Sequence, residues 1–219
     1  MKEIKRQIAI GDIHGCYGLM VDLLEDVIRF DPEADQLIFI GDYIDRGDKS
    51  MHVVTYVNAL RNKYPESIVL LMGNHELLAH SAFKTRESNH VQLWFINGGI
   101  NTINSYGNYE NAQKHLVPFI DTLRYYYETP SHIFVHGGIP MGETLQSAQP
   151  NALLWDRNYD RYRGKTIIVG HTPHKVVTKY KSAVAIDTGA VYTGKLSAYD
   201  PINDCIYEAV DLDSRKSAK

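Results

Sequence analysis

Five short apolar runs, at residues 8–10, 37–40, 68–72, 133–135 and 167–169, each lead directly into a glycine-flanked cluster of acids, amides and imidazoles. The clusters read Gly11-Asp12-Ile13-His14-Gly15, Gly41-Asp42-Tyr43-Ile44-Asp45-Arg46-Gly47, Gly73-Asn74-His75-Glu76, His136-Gly137-Gly138 and Gly170-His171-Thr172. A short apolar run bounded by turn residues is the pattern of a buried strand running out into a loop. Loops at the carboxyl ends of strands are where open α/β sheets bind ligands. The repeat therefore constrains both the fold and the place of the chemistry.

Between the runs, residues 19–30 read as an amphipathic helix stopped at Asp31-Pro32, and residues 50–62 as a second helix. With strands at 7–10, 37–40 and 67–72, the first half has a βαβ rhythm, which predicts right-handed crossovers and a largely parallel sheet. Residues 76–128 turn mostly helical, with breaks at Asn97-Gly98-Gly99 and Gly107-Asn108. Beyond Ser131 the chain is strand-rich, at 132–135, 166–169, 176–180, 183–186, 196–199 and 205–210, and the polar stretch 213–219 is expected to fray. The clusters extend from Asp12 to His171, so a boundary between them would split one site. Residues 1–219 are expected to form a single domain, with the helical middle, 76–128, inserted near the site mouth. Its aromatics, Trp94, Tyr106 and Tyr125-Tyr126-Tyr127, read as core and rim residues rather than a stacking platform for substrate.

Composition narrows the function. The 23 basic and 26 acidic residues give a net charge of −3, scattered without long runs, so no basic field for nucleic acid is expected. Residues 1–6 are charged and lead into a strand, and no apolar stretch approaches the ~20 residues needed to span a bilayer, which predicts a soluble, cytoplasmic protein without a signal peptide. Two cysteines, Cys16 and Cys205, suit reduced thiols and read as small buried residues. Cys16 also adjoins the first cluster, where a nearby cation would favour thiolate and oxidative sensitivity.

The clusters supply the parts of a two-metal site. Asp12 and His14 lie two apart, so an extended exit from a strand points both the same way. Asp42 offers two carboxylate oxygens, enough to bridge two cations, while Asn74 adds an amide oxygen and His136 and His171 add imidazoles. This nitrogen and oxygen set without sulfur suits Mn²⁺, Fe or Zn²⁺. Two ions ~3.5–4 Å apart can activate a water between them and clamp an in-line displacement, which points to phosphate ester hydrolysis. Arg46 can contact phosphate oxygens in bidentate fashion. His75, next to a ligand, is placed as a general acid whose second nitrogen Asp45 could hold. The pair His75 and His80 is five residues apart, not the four of a zinc-protease helix.

Gly-Asp-Ile-His-Gly, Gly-Asp-Tyr-Ile-Asp-Arg-Gly and Gly-Asn-His-Glu resemble the three signature motifs of the phosphoprotein phosphatase family of metallophosphoesterases, in its compact bacterial and phage branch. The resemblance covers nearly the whole chain. It implies an α/β (α+β) fold, a four-layer sandwich of two mixed β-sheets packed face to face and flanked by helices. It implies Asp12, His14 and Asp42 on one metal, and Asp42, Asn74, His136 and His171 on the other, with Mn²⁺ the leading candidate. It further implies His75 as acid, Asp45 as its partner, and Arg46 with Asn74 and His75 at the substrate phosphate. The expected activity is hydrolysis of phosphoserine, phosphothreonine or phosphotyrosine in proteins, by attack of metal-bound hydroxide without a phosphoenzyme.

Two other readings stand beside it. A sister branch hydrolyses dinucleoside polyphosphates such as diadenosine tetraphosphate with the same metals; Asp187-Thr188-Gly189 resembles that branch, whereas Glu76 and Asp45-Arg46 favour the protein phosphatases. A phosphoprotein-binding module that does not cleave would not need Asp45, Arg46 and His75 together. Arg157, in Leu154-Trp155-Asp156-Arg157, is similar to a second phosphate-binding arginine of compact members, or else is a surface residue paired with Asp156 or Asp160. Asp187-Thr188-Gly189 is either a structural turn or a contact at the site. Residues 189–195 match most of a P-loop but have Leu196 in place of the Mg²⁺-binding hydroxyl, and read as a β-turn. The C-terminal segment and regulatory grooves of eukaryotic members find no match, so no regulatory subunit of that kind is expected. Specificity is expected to lie in the insertion and in residues 141–150.

Overall fold

The computed structural model describes residues 4–211; residues 1–3 and the stretch 213–219, expected to fray, lie outside them. Two five-stranded mixed sheets are seen among the described residues. In the first, β1 (Arg6–Ile10), β2 (Asp35–Phe39) and β3 (Ile68–Leu70) run parallel. The antiparallel pair β9 (Lys195–Asp200) and β10 (Cys205–Val210) extends the β1 side, giving the order β10-β9-β1-β2-β3. The second sheet has the order β4-β5-β6-β8-β7, from β4 (Tyr126–Glu128), β5 (His132–Val135), β6 (Thr166–Val169), β7 (Thr178–Lys179) and β8 (Ala183–Ala185). Here β5, β6 and β8 are parallel, and β4 and β7 are antiparallel edges.

The apolar runs are continuous because both faces of each central strand are covered. Ala9, Ile38, Ile40, Val69 and Leu71 meet Phe134, Ile168, Val184 and Ile186 in a core between the sheets. The alternate residues Ile8, Ile10, Leu37, Phe39, Ile68 and Leu70 face the helices. On the far side of the second sheet, Ile133, Val135, Ile167 and Val169 pack under Ile139, Leu145, Leu153 and Tyr159, so its outer layer is loop and short 3-10 turns. Truncating Ile168, fully buried between the sheets, to alanine would cost about 2–5 kcal/mol.

Helix α1 (Tyr17–Val21) continues as a wider π-type turn, Asp22–Ile28, and stops where Arg29 turns left-handed. Helix α2 (Ser50–Lys63) joins β2 to β3. The helical middle holds α3 (Asn74–Thr85), α4 (Ser88–Trp94), α5 (Ile100–Tyr106) and α6 (Tyr109–Ile120). Both predicted breaks occur: Gly98 is non-helical at φ 102°, and Gly107 ends α5 while the Asn108 side chain accepts from Asn111 N–H at 2.8 Å to start α6.

Four expectations need correction. Tyr126–Glu128 is an edge strand rather than helix, because β4 aligns Tyr127 with Phe134 of β5 and the aromatic pair rewards the extended form. The strand expected at 176–180 shrinks to Thr178–Lys179. Residues 190–193 form one helical turn, α7 (Ala190–Thr193), between the left-handed Gly189 and Gly194, not a β-turn. Cys205 is exposed at the start of edge strand β10, not buried. No helix among the described residues is long and apolar enough to cross a membrane.

Candidate active site

Every parallel strand of both sheets opens at its carboxyl end into a polar loop, and these loops converge on Asp42. Its Oδ2 lies 3.4 Å from His14 Nε2, 3.5 Å from His136 Nε2 and 4.0 Å from His75 Nε2. Two buried groups of donor atoms share it: His14, Asp42 and His75, and Asp12, Asp42 and His136, each with its atoms within 4.8 Å. The sharing fits the bridging role expected of Asp42, though Asp12 here falls with His136 rather than His14. Asn74 Oδ1, on the first turn of α3, is 2.9 Å from His136 Nε2 and 2.8 Å from His171 Nδ1. The structure thus brings together Asp12, His14, Asp42, Asn74, His136 and His171, all at most 8% exposed.

The backbone is forced to do this. His14, Asp42, Asp45, Arg46 and His171 all take positive φ, at 45°, 53°, 71°, 67° and 63°, a conformation costing non-glycine residues about 1–2 kcal/mol each. The glycines make room for carboxylates: a Cβ at Gly73 would overlap Asp42 Oδ1, and one at Gly170 would overlap Asp12 Oδ1.

The donor set fits divalent cations. His14 Nδ1 donates to the Ile44 carbonyl at 2.8 Å and His136 Nδ1 to the Ile40 carbonyl at 2.9 Å. These bonds fix the tautomers, so both Nε2 lone pairs face inward, toward the Asp42 carboxylate and the Asn74 amide oxygen. At His136, acceptor therefore meets acceptor with no proton between them. Asp12 Oδ1 and His171 Nε2 are buried with no hydrogen-bond partner among the described residues. The cation that reaches His14 is Arg46, whose Nη1 donates to Nε2 at 2.5 Å while its guanidinium lies 5.6 Å over the Tyr192 ring.

The electrostatics agree with ligation. Burial pulls His14 and His171 down to about 3 and lowers His136, so all three present neutral imidazoles. Burial alone would raise Asp42, but the charge of His75 and the His75 backbone N–H that Asp42 Oδ1 accepts at 3.0 Å help to hold the carboxyl below its ordinary value. Burial, then the charges of Asp187 and Asp42, raises Asp12. Asp187 Oδ1 accepts Gly189 N–H at 2.7 Å, and burial pushes its carboxyl up to about 6. Asp187 thus combines a turn role with a place beside Asp12, while Thr188 is tied to the Lys195 carbonyl and to Ser197.

His75 Nδ1 lies 2.7 Å from Asp45 Oδ2, the expected dyad. Burial opposes a charged His75, yet Asp42 and the Asp45 hydrogen bond overcome it and raise its pKa above the usual value. Arg157 is exposed, and its positive charge is felt at His136 and His171. Its neighbour Trp155 stands edge-on to His171, with centroids 5.6 Å apart, and Asp156 Oδ1 accepts Asn158 N–H. At Cys16, burial, then Asp48 and Asp211, pushes the thiol up to about 12, which opposes the thiolate that a nearby cation would favour.

Two residues do more at the site than the branch marker and core aromatic read from the sequence. Glu76 Oε2 accepts the N–H groups of Gly73 and Asp42, each at 2.9 Å, and Oε1 those of Tyr43 at 2.9 Å and Ile44 at 3.3 Å. One carboxylate thereby shapes the whole Asp42 loop, although burial and Asp42 push it up to about 8. Its position three residues after Gly73 at a helix start was the available signal. Trp94 is fully buried with its indole N–H toward Asp45, and nothing in the local sequence marks it.

Comparison with known proteins gives consistent matches. The calcineurin-like phosphoesterase family model matches residues 5–201. Serine/threonine-protein phosphatase 2 of Salmonella typhimurium is 30% identical over 210 residues, covering 87% of this chain and 90% of that protein. A 68-residue stretch, 31% of this chain, is 47% identical to the symmetrical bis(5'-nucleosyl)-tetraphosphatase of Erwinia tasmaniensis, of which it covers 23%. The solved structure of a candidate diadenosine tetraphosphatase shares the fold, with a TM-score of 0.72 at 20% identity over 93% of this chain and 92% of that one.

Proposed function

The chain belongs to the calcineurin-like phosphoesterase family, and from that premise we propose that it is a metal-dependent phosphatase of phosphoserine and phosphothreonine in proteins. The observation that carries the reading is Asp42, a buried carboxylate shared by two donor groups, with the His75–Asp45 dyad alongside. Asp12, His14 and Asp42 would hold one divalent ion, and Asp42, Asn74, His136 and His171 the other; Mn²⁺ suits this donor set, with Fe or Zn²⁺ as alternatives. When bound, such a pair supplies Lewis acidity and a water of lowered pKa. Arg46, together with Arg157, binds and orients the phosphoryl oxygens alongside Asn74 and His75. His75 gives a proton from Nε2 to the departing oxygen, and Asp45 fixes the ring through Nδ1. The free thiols Cys16 and Cys205 support a cytoplasmic setting.

A second reading, hydrolysis of dinucleoside tetraphosphates at the same site, is favoured by Asp187 beside Asp12 and by the short tetraphosphatase match. The deciding experiment measures phosphate release from a phosphothreonine peptide and cleavage of diadenosine tetraphosphate in parallel, using Mn²⁺-reloaded protein with Asp42→Asn as control. Preferential turnover of the peptide is expected; preferential cleavage of the nucleotide would transfer the site to the second reading.

A further inference from the structure

The helical middle grips the two strained residues that the dyad depends on. Arg46 N–H donates to the Gly98 carbonyl at 3.3 Å, and the Arg46 carbonyl accepts from Asn101 Nδ2. Asp45 N–H donates to Thr102 Oγ1 at 2.8 Å, while the same hydroxyl donates to Asp45 Oδ1 at 2.7 Å. The Trp94 indole N–H lies 3.0 Å from both Asp45 oxygens, and His75 takes Oδ2. Asp45, Trp94 and Thr102 are all fully buried, so no water competes for these contacts. The carboxylate is thus fixed in rotation by two donors from α4 and α5, and its remaining lone pair is aimed at His75 Nδ1.

We infer that Trp94 and Thr102 are positioning residues for leaving-group protonation, acting on His75 through Asp45; this rests on the phosphomonoesterase reading above. They touch neither substrate nor the donor atoms grouped around Asp42. Their removal leaves phosphate binding and water attack intact and loosens the ring that must deliver its proton to the departing oxygen. An oxygen that departs readily as an anion does not need that proton, so the defect scales with the basicity of the leaving group.

The test compares turnover of phenyl phosphate and 2,4-dinitrophenyl phosphate by Mn²⁺-loaded wild type, Thr102→Val, Thr102→Ser and Trp94→Phe, each checked for folding by thermal melting. General acid catalysis contributes about 10²–10⁴-fold, so partial misorientation is expected to cost Thr102→Val and Trp94→Phe about 10–100-fold on phenyl phosphate and less than about threefold on the dinitrophenyl ester. Thr102→Ser, which keeps the hydroxyl, recovers most of the loss. Independently of metal and turnover, the downfield proton resonance of His75 Nδ1–H in metal-free protein moves in Thr102→Val and persists in Thr102→Ser. Equal losses on both esters, or an unmoved resonance, overturn the inference. Wild type that cleaves neither ester instead overturns the monoesterase reading itself. Should Trp94→Phe not fold, the two Thr102 variants decide.

Discussion

The loops of the first sheet and those of the second sheet meet at one centre but are held in different ways. Around Asp42 and Asp45, side chains of the protein itself satisfy the backbone: Glu76 takes four amides, and Thr102 takes another. Across the centre, His136 Nε2 meets the Asn74 oxygen as acceptor to acceptor, His171 Nδ1 lies 2.8 Å from the same oxygen, and His171 Nε2 is left without a partner among the described residues. The loop from Asp42 to Asp45 is shaped by the protein's own groups. Where Asp12 Oδ1 and His171 Nε2 lie without partners among the described residues, a cation would complete the site.

Asp42 joins the halves, so replacing it should have the largest effect. Asp42→Asn is expected to lower turnover on the order of 10³-fold and to reduce bound metal in the same preparation, read by elemental analysis. Full metal content with lost activity would mean that the halves are not joined through this carboxylate. Glu76→Gln breaks the first half alone: it offers an amide N–H₂ where four backbone donors need acceptors, for an expected loss of about 2–4 kcal/mol in urea unfolding. A loss below ~0.5 kcal/mol, the size of an ordinary surface change, would show that the loop shape does not depend on Glu76.

Chelation should separate the two halves most directly. Treatment with a strong chelator is expected to raise amide exchange at residues 136–138 and 170–172 while the amides of Asp42, Tyr43 and Ile44 stay protected. Similar exchange in both sets would erase the contrast. The smallest effect is expected at Cys16, whose thiol burial pushes up to about 12: Cys16→Ser should leave the rate of peroxide inactivation within about twofold, while exposed Cys205 reacts first with a thiol reagent.

The contrast also separates what the sequence made legible from what it hid. The strands and the six clustered donors could be read because each is announced locally, by an apolar run and then by glycines beside acids and imidazoles. Asp45 with His75 was readable for the same reason. Trp94 and Thr102 were not: they reach Asp45 across 49 and 57 residues, and a tryptophan or threonine on a helix carries no mark of what it will touch. At Cys16 the neighbouring cluster is visible in the sequence, but the burial that raises its thiol is not. The tyrosines at 126 and 127 were absorbed into a helical pattern because a three-residue strand is too short for alternation to register.

The place of β1 in its sheet bears on how the protein is made. β1 is central: it pairs with β2 on one side and with β9 on the other, through Ala9 opposite Tyr199 and Ile10 opposite Ala198. The Gln7 amide reaches Asp200, 193 residues away. At synthesis rates of ~5–20 residues per second, roughly 10–40 seconds separate the emergence of these partners from the ribosome. Throughout that interval β1 is without its β9 partner, and His136 and His171 arrive in the later part of the same interval. A phosphatase built this way is a latecomer to its own activity: its donor set is complete only once His171 has been made.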